Sequence, residues 1–245
     1  MTMPHPFDVI AFDADDTLWK SEDSFHAAEH AFVELIAPYV PAGVDVKAAL
    51  TATERRNLHV FGYGVKAFGL SMVDAATSLI GGEIPAAVVA RLIETTRAML
   101  TEPVQLLPDA AAVLEQVGAM YQIVLITKGD LIHQNTKIDT SGLAHHFAEV
   151  DIVMEKDSDT YARIIHRLGV APERFCMVGN SVRSDILPVL ALGASAVHIP
   201  YALLWDLEQA PADHGQTFAE LECLAQLPAW LADGEITEST TARAG

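Results

Sequence analysis

Two aspartates, Asp13 and Asp15, follow a short apolar run, Phe7-Asp8-Val9-Ile10-Ala11-Phe12. Residues i and i+2 leaving a strand project to the same side, so this spacing brings two carboxylates to one place. At about 4 Å and an effective dielectric of about 20 they repel by roughly 4 kcal/mol, which calls for a cation or a shared proton. The plainer reading is a solvated acidic loop that caps a helix through Thr17. Three further signals weigh against it: a hydroxyl at Thr127, a lone Lys156, and Asp185 at the end of Gly179-Asn180-Ser181-Val182-Arg183-Ser184-Asp185. Carboxylates, one divalent metal, one lysine and one hydroxyl are the parts needed for phosphoryl transfer to an aspartate, where catalysis is mainly positioning and charge neutralisation.

Such residues act together only if the fold gathers them. Residues 7–12 read as a buried strand meeting a polar edge. From Pro108 onward, helices and strands alternate: helix 109–119, strand 122–127, helix 130–142, strand 149–153, helix 158–169, strand 174–178, helix 184–192, strand 195–199 and a last helix at 217–231. Alternation of this kind builds parallel strands joined by right-handed crossovers, an α/β doubly wound sheet of Rossmann-like type. Ligands of an open parallel sheet bind outside the carboxyl ends of its strands. Asp13 and Asp15, Thr127 with Lys128, Lys156, and the 179–185 segment each follow such a strand end.

Between the first and second strands the pattern is helical. Phe25, Phe32, Leu35 and Ile36 share one face, and Val88, Val89, Leu92, Ile93, Thr96 and Met99 another. The expected organisation is therefore an α/β core of residues 1–18 and 102–232, an all-helical insertion at 19–101, and a polar, mobile tail at 233–245.

The set Asp13-x-Asp15-x-Thr17-Leu18, Thr127, Lys156 and Gly179-Asn180-Ser181-x-x-Ser184-Asp185 resembles the four motifs of the haloacid dehalogenase superfamily of hydrolases. It runs through nearly the whole chain in the right order, and the helical insertion resembles the cap domain which that superfamily places after its first motif. The resemblance implies a nucleophile at Asp13, forming an aspartyl-phosphate, and a general acid and base at Asp15. It implies that Thr127 hydrogen-bonds a phosphoryl oxygen and that Lys156 neutralises the phosphoryl group and holds Asp13. Mg²⁺ would be bound by the Asp13 carboxylate, the Asp15 carbonyl and the 179–185 loop through Asn180 or Asp185. Two positions depart from the pattern. Asp16 stands where glycine is usual, and Asp tolerates a left-handed backbone better than most residues. Asn180 stands where a metal-binding aspartate is usual, and its amide oxygen ligates without charge.

Asp15 also separates activities within the superfamily, because a halide leaving group needs no proton whereas an alcohol does. A phosphatase acting on a small phosphomonoester is favoured over a dehalogenase, with Lys128 and Arg183 as candidates for touching the substrate. A phosphosugar mutase keeps the same acid pair, and a non-catalytic relative that binds a phosphometabolite is the reading from another class.

Composition narrows the partners. Of 245 residues, 15 are Lys or Arg and 33 are Asp or Glu, a formal net charge of −18, so nucleic acid and anionic lipid surfaces are repelled. No stretch approaches the roughly 20 apolar residues of a membrane span, and no signal peptide is visible, so a cytoplasmic setting is expected. The two cysteines, Cys176 and Cys223, read as buried thiols rather than a disulfide. His26 and His30 have metal-ligand spacing but lack a third ligand. Gly62-Tyr63-Gly64 follows no strand and reads as a break between helices. Arg55, Arg56 and Lys66 read as solvated helix charges before any substrate role.

Overall fold

The computed structural model describes residues 7–210 and 215–233. The expected mobile tail, 233–245, lies outside the described residues from position 234 onward. By its internal contacts the chain divides into two compact units. The first comprises the described residues of 1–20, 105–127 and 141–245, and the second comprises 21–104 together with 128–140.

The first unit is built on a six-stranded sheet. Its strands are β1 (Val9–Phe12), β2 (Gln122–Lys128), β3 (Glu149–Val153), β4 (Phe175–Gly179), β5 (Ser195–His198) and β6 (Ala219–Glu220), in the spatial order β3-β2-β1-β4-β5-β6. The pairs β1–β2, β1–β4, β4–β5 and β5–β6 are parallel. Strands covered on both faces read as continuous apolar runs, and every residue of β1 and β4 is buried. One face packs Val9, Ala11, Val124, Ile126, Phe175 and Met177 against Tyr161, Ile164 and Ile165 of α7 (Ser158–Leu168). Phe12 is aligned with Leu125 on one side and Val178 on the other, so the chains following β1, β2 and β4 leave the sheet at one edge.

The sequence reading departs from this unit in three places. The helix expected at 217–231 is absent as such: Ala219 and Glu220 pair with Val197 and His198 as β6, and only Leu227–Asp233 is α-helical (α9). The bare edge of β5 thus gains a partner that helical periodicity would not announce. The expected 184–192 helix is a five-residue π-helical turn, Val182–Ile186, followed by the single turn α8 (Leu187–Leu190). Pro188, which lacks an N–H to donate, falls in the first turn of α8. Cys223 is exposed, whereas Cys176 is buried inside β4 as expected, where burial pushes its thiol well above the usual range.

The second unit is all-helical: α1 (Glu22–Ile36), α2 (Val46–Phe61), α3 (Val65–Ile80), α4 (Ala86–Thr101) and α6 (Leu131–Ser141), the last belonging to it through residue 140. Helix α5 (Ala110–Gly118) belongs to the first unit. The core of the second unit joins Phe32 and Ile36 of α1, Leu50 of α2, Phe68 and Met72 of α3, and Val88, Leu92 and Met99 of α4. Phe25 and Leu35 pack at its margin, whereas Ile93 is half exposed. The sequence reading gave 130–142 to the α/β part. By contact that helix lies with the helical unit, where Lys66 Nζ is 2.9 Å from Asp130 and Lys128 Nζ stands 4.2 Å over the Tyr63 ring. Among the described residues no helix is long and apolar enough to cross a membrane.

Candidate active site

The site is assembled at the edge where β1, β2 and β4 end. Asp13, one residue past β1, donates its backbone N–H to the Val178 carbonyl at 2.9 Å, which fixes it against the end of β4. The loop then turns sharply: Asp16 has φ 62°, the left-handed region that its departure from glycine must tolerate. An Asp side chain meets this demand at lower cost than a β-branched one, so the turn survives the substitution.

Lys156 follows β3 and reaches inward, with its ammonium 2.5 Å from Asp13 Oδ1 and 2.7 Å from Asp185 Oδ1. All three side chains are buried. The other Asp185 oxygen, Oδ2, accepts from the Ser181 N–H at 3.0 Å. Burial alone would lower the Lys156 pKa, but the carboxylates of Asp13 and Asp185 more than offset it and hold the ammonium above its ordinary range. Asp13 moves the other way from a normal ion-pair partner. Burial pushes its carboxyl up to about 7, with Lys156 opposing and Asp185 adding to the rise. The two shifts describe one assembly: a lysine that keeps its proton, shared by two carboxylates whose combined charge exceeds its own. A further positive charge at Asp13 would balance it.

The remaining Asp13 oxygen marks where that charge fits. Oδ2 accepts from the Thr17 hydroxyl at 3.1 Å. One arm of the Asn180 amide stands 3.3 Å from Oδ2 and 3.2 Å from the Asp15 carbonyl oxygen. With the amide nitrogen turned inward, Asn180 donates to both; with its oxygen inward, three oxygens converge. A carboxylate, a main-chain carbonyl and an amide are the hard oxygen donors that Mg²⁺ takes, and the remaining octahedral positions are normally filled by water and phosphate oxygens. Among the described residues no three His, Cys, Asp or Glu side chains converge on a metal site, so a cation here relies on the carbonyl and the amide. His26 and His30 form no such site, and His26 instead lies 3.8 Å from both Glu22 and Glu29.

Thr127 is buried near the end of β2, two residues beyond the Leu125–Phe12 pair, which puts it on the same sheet edge as Asp13. Arg183 turns to the Leu207 carbonyl, donating at 2.8 Å. Asp15 Oδ1 accepts from the Trp19 indole N–H at 2.6 Å.

Three of these supports have no counterpart in the sequence reading. Trp19 is one, although its i+4 spacing from Asp15 was there to be noticed. Glu208 is another: buried, it accepts from the Ser181 and Ser184 hydroxyls, each at 2.6 Å, and so ties down the loop that carries Asn180 and Asp185. His198 is the third, with Nε2 3.0 Å from the Asn180 carbonyl oxygen and Nδ1 2.8 Å from Glu220. His198 and Glu208 lie well beyond the end of the motif at Asp185, with no spacing rule to link them to it.

A family profile described as haloacid dehalogenase-like hydrolase matches residues 7–193, most of the chain. The chain belongs to this family. A haloacid dehalogenase-like family hydrolase from Xanthomonas campestris is 39% identical, with a TM-score of 0.83 over 94% of this chain and 92% of that one. The glyceraldehyde 3-phosphate phosphatase of Methanopyrus kandleri is 28% identical over 213 residues, 81% of this chain and 86% of its own length. The L-2-haloacid dehalogenase from Xanthobacter autotrophicus shares the fold, with a TM-score of 0.61 over 92% of this chain and 98% of that one, at 17% identity. This haloacid dehalogenase-like chain is therefore a hydrolase by family, and its curated relatives include a phosphatase.

Proposed function

We propose that this hydrolase is a Mg²⁺-dependent phosphatase acting on a small phosphomonoester through an aspartyl-phosphate on Asp13. The observation that carries the reading is Asp15, a carboxylate two residues after Asp13 whose charge acts on the Asp13 carboxyl and whose Oδ1 is held by the Trp19 indole: a leaving alcohol needs a proton and a leaving halide does not. The phosphatase name of the M. kandleri relative supports it.

In this reading the Asp13 carboxylate, held by Lys156, attacks phosphorus in line with the leaving group. As the bond from phosphorus to the ester oxygen breaks, Asp15 gives that oxygen its proton; it then takes a proton from the water that attacks the phosphoryl-aspartate. Lys156 keeps its ammonium throughout, and Thr127 donates its hydroxyl to a phosphoryl oxygen. Asp13, the Asp15 carbonyl and Asn180 are the candidate holders of Mg²⁺, which when bound offsets negative charge on the transferring group. Asp185, with its two oxygens on Lys156 and Ser181, holds the lysine in place. Residues 21–104 stand as the proposed cap, and a triose phosphate is the first substrate to try.

The test is phosphate release from an aryl phosphate with and without Mg²⁺, in wild type and Asp13→Asn, followed by a panel of small phosphomonoesters that includes glyceraldehyde 3-phosphate. Release should require Mg²⁺ and fall by about 10³-fold or more in Asp13→Asn. Activity that survives the substitution removes the covalent route, and isomer formation without phosphate release replaces the phosphatase with a mutase.

A further inference from the structure

Trp19 is fully buried, and its backbone is pinned on both sides. Its carbonyl accepts from the Asp16 N–H at 2.7 Å, and its neighbours Leu18 and Lys20 exchange hydrogen bonds with Leu107 and Gln105 at 2.9 Å each. The main chain thus bridges from Asp15 to Trp19 and from Trp19 to Leu106. An indole so fixed has little freedom to follow its partner, and it aims its N–H at Asp15 Oδ1 from 2.6 Å. Contacts from an N–H to a carboxylate at this distance are the strong, charge-assisted kind, and a buried Trp normally finds such a partner.

The chemistry of that donor is one-sided. An indole N–H donates and cannot accept, whereas a carboxyl group offers one oxygen that accepts and one that carries the proton. With Oδ1 taken by Trp19 as the acceptor, the transferable proton resides on Oδ2. We propose that Trp19 is a positioning residue for acid–base catalysis: it holds the Asp15 plane and assigns Oδ2 as the oxygen that gives and later regains the proton. The proposal rests on the assignment of Asp15 as the general acid. In the first step the proton leaves Oδ2 for the ester oxygen as the Asp13–phosphorus bond forms and the ester bond breaks. In the second, Oδ2 takes a proton from water as the hydroxide oxygen bonds to phosphorus and the Asp13–phosphorus bond breaks. Oδ1 remains on the indole through both.

This role separates from a packing role by leaving group. General acid catalysis contributes typically about 10² to 10⁴ in rate and matters most for a basic leaving group. The experiment compares first-turnover rates on an alkyl phosphate and on 2,4-dinitrophenyl phosphate, in the full chain with Mg²⁺, for wild type, Asp15→Asn and Trp19→Phe. The burst of dinitrophenolate reports phosphorylation of Asp13 without acid assistance and serves as the control for an intact fold. Asp15→Asn should slow the alkyl phosphate by about 10² or more and the burst by much less. Trp19→Phe should reproduce that split at about tenfold, with the burst changed by less than about threefold. Equal losses on both substrates, or no loss on either, overturn the proposal while leaving Asp15 as the acid. If Asp15→Asn itself shows no split, the acid assignment falls and the role of Trp19 falls with it. Should Trp19→Phe fail to fold, the isosteric 3-benzothienylalanine at position 19, which loses the N–H alone, is subject to the same criteria.

Discussion

Lys156 sits 2.5 Å from one buried carboxylate and 2.7 Å from another, so its charge is a structural requirement before it is a catalytic one. Removing one partner from a buried ion pair costs about 3–5 kcal/mol, because the charge left behind has neither water nor counter-charge. Lys156→Met keeps the apolar stem and removes the ammonium, leaving Asp13 and Asp185 to repel each other. In metal-free urea unfolding the variant should lose about 3–5 kcal/mol, read as a lower midpoint at unchanged slope. Adding Asp185→Asn should return part of that loss, since it removes one of the two uncompensated charges, and the coupling between the sites should exceed about 1 kcal/mol. A single-variant loss below about 1 kcal/mol would mean the carboxylates tolerate each other without the lysine.

At the scale of elements, the end of β4 shows how closely the loop is fitted to the strand. A Cβ on Gly179 would lie 2.3 Å from Asp185 Oδ2 and 2.4 Å from its Cγ. Gly179→Ala therefore displaces Asp185 from Lys156 and from the Ser181 N–H. Overpacking of this kind costs about 1–3 kcal/mol, so the protein should fold with a modestly lower Tm while first-turnover phosphorylation falls about 10²-fold. Wild-type turnover in that variant would show that the loop absorbs the shift. The same loop marks the limit of what sequence discloses. The strand ends and their polar residues were legible because β1, β2 and β4 are apolar runs broken by charge, and the family motifs lie at those breaks. Glu208 was not legible, because it joins Ser181 and Ser184 from a later 3-10 turn, Asp206–Glu208, too short to carry a periodicity. Neither was the allegiance of α6. Its buried side carries Gln134, Lys137 and Ile138, while Leu131 and Ile132 are exposed, so apolar periodicity finds the helix and misreads its packing. A two-residue strand such as β6 is below the length at which alternation can be seen at all.

For the whole molecule, the buried carboxyl of Asp13 couples folding to pH and, in the proposed reading, to metal. Asp13 has its carboxyl raised from 3.8 to about 7 in the folded, metal-free chain, chiefly by burial. A group raised by folding binds more protons in the native state, so its contribution is fully present below about pH 4 and is lost as pH rises through about 7. The raised Lys156 contributes at any pH below its ordinary range and is constant over this window. Asp74, lowered by its hydrogen bond from Arg56, and Asp157, lowered by the Thr160 N–H, lose their contributions only as pH falls through their depressed values, and are flat above pH 4. Between about pH 5 and about pH 8, then, Asp13 is the site carboxylate whose cost appears. In EDTA the Tm of wild type should fall relative to that of Asp13→Asn as pH rises over this range. In the proposed reading Mg²⁺ would take the place of the lost proton at the same oxygen set, so it should raise the wild-type Tm more at about pH 8 than at about pH 5 and leave Asp13→Asn nearly unmoved. The subtraction of Asp13→Asn removes every contribution the two chains share, the general attraction of cations to a chain of net charge −18 included. A wild-type minus variant difference that is the same at both pH values would return Asp13 to the ordinary carboxylate range and leave the Mg²⁺ effect without a proton to replace.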